Sequence, residues 1–174
     1  MRAILEKIKT KQLKAECSIV ISDRVAKGLD VAAQMGFHTL LIDRSQFRDR
    51  TAHELEIVSI LREHQVELVV CAGYLRIIGD NLLKAYPNRI LNIHPSLLPS
   101  FPGLRAQKQA LEHGVKITGC TIHLVDPGVD TGKILAQVAV PILPDDDEKK
   151  LSARILHVEH ENYWRAIADY IKGA

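Results

Sequence analysis

Short β-branched runs alternate with segments of helical periodicity along this 174-residue chain, and no other feature narrows its fold as far. Cys17–Ser22, Phe37–Ile42, Glu67–Ala72 and Arg89–Ile93 read as short strands. Arg2–Lys11, Ala26–Met35, Thr51–His64, a short stretch from Asp80 and Arg105–His113 read as helices. Gly36 and Gly114 stand where helix C-terminal caps belong. Thr51, with Glu54 three residues on, has the form of a capping box. Two further strands, Lys116–Val125 and Lys133–Val140, follow with a turn between them. The exposed loop Pro141–Asp147 leads into a last helix over Asp147–Lys172, where Leu156, Tyr163, Ile167 and Tyr170 predict one apolar stripe. Strand–helix alternation of this kind predicts an α/β fold with a doubly wound, mostly parallel, Rossmann-like sheet. No repeat, low-complexity stretch or linker divides it, so residues 1–174 are expected to form a single domain.

Composition removes several classes of function. Apolar residues make up 47% and charged residues 25%, with a net charge of +2 and 5% aromatics. That is an ordinary globular balance, without the basic surface or stacking platform that nucleic acid would require. No apolar run is long enough to span a bilayer and no signal peptide is evident, so neither a membrane nor a secreted location is expected. Cys17, Cys71 and Cys120 lie in or beside apolar runs without a CxxC pattern. An odd number of thiols read as core packing fits a reducing cytoplasm.

The segment from Arg89 to Gly103, RILNIHPSLLPSFPG, carries the chemistry. Its apolar run ends at His94-Pro95, and Pro95, Pro99 and Pro102 then bar a helix until after Gly103. Asn92 and His94 are two residues apart, so on an extended strand they point to one face. An amide and an imidazole at a strand's carboxyl end lie where open α/β sheets bind ligands. Taken alone, the pair also fits a mere turn with satisfied polar groups. Two more elements are expected to converge on it. One is the loop Asp126–Gly132, with Asp130 near its end; the other is the loop Gly73–Ile78 after the third strand. A carboxylate beside an imidazole favours the imidazolium, which can donate to a developing oxyanion, and the Asn amide adds a neutral donor. Ser96 lacks the G-x-S-x-G context of a nucleophile. His94, His123 and Asp130 lack the HExxH or paired-Cys spacing of a zinc site, so no metal is expected.

NIHPSLLPSFPG, then G-x-T-x-H at Gly119, Thr121 and His123, then D-T-G at Asp130–Gly132, resembles the formyltransferase family that uses 10-formyltetrahydrofolate. The proline after His94 and the phrase SLLPSFPGL resemble the branch acting on glycinamide ribonucleotide in purine synthesis. The resemblance runs from Met1 to about Ala168. It implies that His94 is the general acid toward the formyl oxygen, that Asn92 stabilises the tetrahedral intermediate, and that Asp130 keeps His94 protonated and relays a proton. It places the folate against Leu75, Arg76, Ile77, Ile78, Asn92 and the Asp126–Gly128–Asp130 loop, with Arg50 on the folate side. Pro95, by its carbonyl, and Glu159, toward the ribose hydroxyls, are implied for the nucleotide substrate. It also implies a cis peptide before Pro99 and a supporting rather than catalytic place for His123. Whether the chain is a monomer or homodimer is left open by the sequence. The remaining histidines, His38, His53, His64, His113, His157 and His160, are read as surface or packing residues.

The sequence departs from the family pattern at its start. The family opens with a strand and a glycine-rich phosphate loop, but this chain starts in a helix and contains no G-x-G. The fold is therefore expected to lack its first strand, leaving two central strand edges whose unpaired groups each cost about 1–3 kcal/mol. The expectation is a domain truncated at its N-terminus, or a degraded family member, that binds the nucleotide weakly. Two alternatives share the Asn-His-Asp set: a formyltetrahydrofolate deformylase, against which the Pro95 context argues, and a non-catalytic folate-binding remnant.

Overall fold

A computed structural model describes residues 1–173. Helices and strands alternate in the order α1 (Arg2–Lys9), β1 (Val20–Ser22), α2 (Lys27–Gln34), β2 (Thr39–Leu41), α3 (Arg50–Glu63), β3 (Val69–Val70), α4 (Asp80–Ala85), β4 (Ile90–His94), α5 (Ala106–Glu112), β5 (Ile117–Leu124), β6 (Ile134–Pro141) and α6 (Glu148–Gly173). The α/β fold read from the alternation is present. Strands linked through helices pair in parallel, β1 with β2 and β3 with β4. β5 and β6, joined by a turn, form an antiparallel hairpin that extends the sheet from β4.

The sheet is in two parts. β1 and β2 form one ladder, and β3, β4, β5 and β6 form another in that order. Side chains connect the parts. Ile42, Ile57, Val58 and Leu61 pack in one cluster with Cys71, Ile78, Leu82, Tyr86 and Ile90, and Ile19, Ile21 and Val69 lie against it. On the opposite side Leu13, Leu91, Ile122, Leu124, Tyr163 and Ile167 form a second cluster, with Ile4 and Ile8 of α1 beside it. β5 is the most enclosed strand, buried from Thr118 to Leu124.

Two local expectations are corrected. The N-cap of α3 is Asp49, whose carboxylate accepts from the Ala52 N–H at 2.8 Å, so Thr51 lies inside the helix. Glu54 makes no capping box: it turns inward and accepts from the Gly79 N–H at 2.8 Å, because Arg50 and an orphan amide before α4 offer stronger partners. The buried stripe of α6 is Leu151, Ile155, Tyr163 and Ile167. Leu156 is exposed, since the sheet lies on the side defined by Ile155. Asp147 caps α6 through the Lys150 N–H at 2.7 Å. Cys71 and Cys120 are buried and Cys17 is half-buried, all three as free thiols.

Candidate active site

β4 carries Asn92 and His94 to the sheet's carboxyl end, and the antiparallel register sets Asn92 opposite His123 and His94 opposite Thr121 of β5. The stiff loop after β4 is pinned to the hairpin. Thr121 Oγ1 donates to the Ser96 carbonyl at 2.7 Å and accepts from the Leu98 N–H at 3.0 Å. Gln137 donates to the Leu98 carbonyl at 2.8 Å. The Leu98–Pro99 bond is cis. Gly119 permits this packing: a Cβ there would lie 2.0 Å from the Val138 carbonyl oxygen and 2.9 Å from Leu97.

Asp130 arrives from the β5–β6 turn with φ +55°, a left-handed conformation open to Asp among the non-glycine residues. Asp126 organises that turn, accepting from the Gly128 N–H at 3.0 Å and the Thr131 hydroxyl at 2.7 Å. Gly132 lets the turn fold back, since a Cβ would sit 1.8 Å from the Leu124 carbonyl oxygen. The Asp130 carboxylate lies 3.2 Å from His94 Nδ1 and accepts from the Gly103 N–H at 2.8 Å. His94 Nε2 lies 2.8 Å from the Phe101 carbonyl. Both ring nitrogens of His94 thus face acceptors, and only the doubly protonated ring donates to both. Asn92 Nδ2 lies 3.3 Å from His123 Nε2, and His123 Nδ1 lies 2.8 Å from the Leu124 carbonyl. Burial of His123 disfavours its charged form and lowers its pKa. The assembled chemistry is an imidazole held between two acceptors, a neutral amide donor and a carboxylate, which suits stabilising an oxyanion and moving a proton.

The other candidate residues surround this cluster or lie away from it. Leu75, Arg76 and Ile77 are exposed on the loop after β3, and Leu75 and Ile77 are apolar side chains open to solvent. Ile78 is buried in the core beneath α4. Arg76 is anchored by Asp23, which follows β1. Arg50 is half-exposed and pairs with Glu54 at 2.8 Å. Pro95 is half-buried beside His94. Glu159 is on α6, where burial raises its carboxyl pKa to about 7. Ser96 is fully buried, its hydroxyl donating to the Ser100 carbonyl at 2.5 Å. Among the described residues no group of three or more His, Cys, Asp or Glu side chains is placed to hold a metal ion.

Two contributors were not legible beforehand, the Phe101 carbonyl and the Gly103 N–H. Both are backbone groups, and their only sequence signal is the proline-rich stretch ending in Gly103. Phe101 takes φ +56°, which turns its carbonyl toward His94.

A family model described as formyl transferase matches residues 1–167. The trifunctional purine biosynthetic protein adenosine-3 of Drosophila melanogaster is 44% identical over 162 residues, covering 92% of this chain and 12% of that protein. Phosphoribosylglycinamide formyltransferase of Bacillus subtilis (strain 168) is 41% identical over 162 residues, covering 92% of this chain and 83% of the relative. Glycinamide ribonucleotide transformylase 1 from Symbiobacterium toebii superposes with a TM-score of 0.97 at 47% identity, covering 99% of this chain and 82% of that one.

Proposed function

Because the chain belongs to the formyl transferase family, whose match takes in every residue of the cluster, we propose that it moves the formyl group of 10-formyltetrahydrofolate to the amine of glycinamide ribonucleotide. The products are formylglycinamide ribonucleotide and tetrahydrofolate, in de novo purine synthesis. The observation that carries this reading is the 3.2 Å contact of Asp130 with a histidine that shares a strand face with Asn92. As the amine nitrogen bonds to the formyl carbon, negative charge gathers on the formyl oxygen. Asn92 supplies a donor to it, and His94, held at Nδ1 by Asp130, supplies a second when its Nε2–H turns from the Phe101 carbonyl to the formyl oxygen. The bond from carbon to the folate nitrogen then breaks, and the proton shed by the amine passes to that nitrogen by way of the His94–Asp130 pair.

Exposed Leu75 and Ile77 offer an apolar surface for the pteridine, and the turn carrying Asp126, Gly128 and Asp130 is assigned its polar edge. Arg50 is assigned to the folate side, and Pro95 and Glu159 to the nucleotide. Among the described residues no helix is long and apolar enough to cross a membrane. The free thiols of Cys17, Cys71 and Cys120 fit a cytoplasmic location.

The test incubates the protein with 10-formyltetrahydrofolate, with and without glycinamide ribonucleotide. Amine-dependent product supports the reading. Amine-independent formate would mean a deformylase, and binding without turnover a folate-binding remnant. His94→Ala should abolish turnover while folate binding persists; unchanged turnover would remove His94 from the assignment.

A further inference from the structure

We infer that His123 is a positioning residue that fixes which end of the Asn92 amide is presented as donor, a step that rests on the formyl-transfer reading only for its kinetic consequence. His123 Nδ1 lies 2.8 Å from the Leu124 carbonyl, which can only accept, so Nδ1 carries the hydrogen. The ring is 2% exposed, and its desolvation favours the neutral form. Nε2 is therefore a lone-pair acceptor. The Asn92 atom 3.3 Å from it must be the NH2 group, because the amide oxygen would set two lone pairs against each other. One Asn92 N–H is committed to His123, and the other has no protein partner among the described residues. The Leu124 carbonyl thus selects the His123 tautomer, and the tautomer selects the orientation of Asn92. Asp130 Oδ1, 3.7 Å from the same Nε2, is beyond hydrogen-bond distance and does not compete.

Two measurements test this. In uniformly 15N-labelled protein the His123 ring shifts should report the Nδ1–H tautomer with an unprotonated Nε2; a ring protonated on Nε2 overturns the inference. The second is a double-mutant cycle with His123→Leu and Asn92→Ala, with His123→Gln as the conservative variant. His123→Leu should lower kcat roughly tenfold, about one hydrogen bond's share, with KM for the formyl donor little changed. His123→Gln places an amide oxygen near the lost acceptor and should recover most of that rate. In the Asn92→Ala background His123→Leu should cost less than about twofold, since it acts through a side chain already removed. An equal cost in both backgrounds overturns the inference. If the wild-type protein transfers no formyl group, the proposed function fails by itself. The Asn92 side-chain amide resonances then decide: they should shift in His123→Leu and return in His123→Gln, and resonances indifferent to both changes sink the claim.

Discussion

Thr118 Oγ1 is a buried side-chain atom without a hydrogen-bond partner among the described residues, on a residue 1% exposed in the most enclosed strand. A hydroxyl stranded in this way loses its water and gains nothing in return. Thr118→Val keeps the shape and the strand preference, and should raise the thermal midpoint, by about 1 kcal/mol of stability. A lowered midpoint would show that the hydroxyl is satisfied after all. Glu159 gives a pH-dependent case. Its folded pKa is raised to about 7 by burial, whereas the unfolded chain ionises near the ordinary carboxylate value of about 4.3. Between those values the folded state holds a proton that the unfolded state has lost, so stability falls as pH rises through that window. Glu159→Gln should therefore add on the order of 1–3 kcal/mol at pH 8 and little at pH 4, read from denaturant midpoints at the two pH values. Asn92, His94 and Asp130 were legible as a set because strand alternation and turn chemistry locate side chains of this kind. The partner of Asn92 was not: the Asn92–His123 pairing is a register, and register is settled by the whole hairpin.

At the scale of elements, one hydroxyl adds a polar tie to the apolar packing of α6 on the sheet. Tyr163 donates to the carbonyls of Cys71 and Leu91 at 2.9 and 3.0 Å. The Leu91 carbonyl also accepts from the Cys71 N–H, so Tyr163→Phe chiefly strands the Cys71 carbonyl. The cost should be about 1–2 kcal/mol, measured as a drop in denaturant midpoint with unchanged slope. The β5–β6 turn is the element on which the chemistry depends. Gly132→Ala sets a Cβ against the Leu124 carbonyl and must displace the turn that delivers Asp130. Turnover should fall well beyond tenfold while far-UV circular dichroism stays native; retained turnover would show that the turn yields without moving Asp130. Element types were legible from periodicity, but caps were not. Asp49 and Thr51 are both good cap residues, and the chain chose Asp49 because Glu54 was drawn inward to Arg50 and Gly79.

For the molecule as a whole, the consequential feature is the sheet in two parts. Alternation alone could not reveal it, because periodicity reports that strands exist and not which edges meet. Backbone amides of Val20–Ser22 and Thr39–Leu41 should exchange with solvent faster than those of Thr118–Leu124, since their ladder is short and only half-buried. Equal protection of both would show that the parts open only together. What joins them is chiefly apolar side chains around Ile57, Leu61 and Cys71, helped by the Asp23–Arg76 pair. Apolar attraction weakens on cooling, while a hydrogen-bonded ladder does not share that dependence. The seam between the ladders should accordingly be the most cold-sensitive part of the protein.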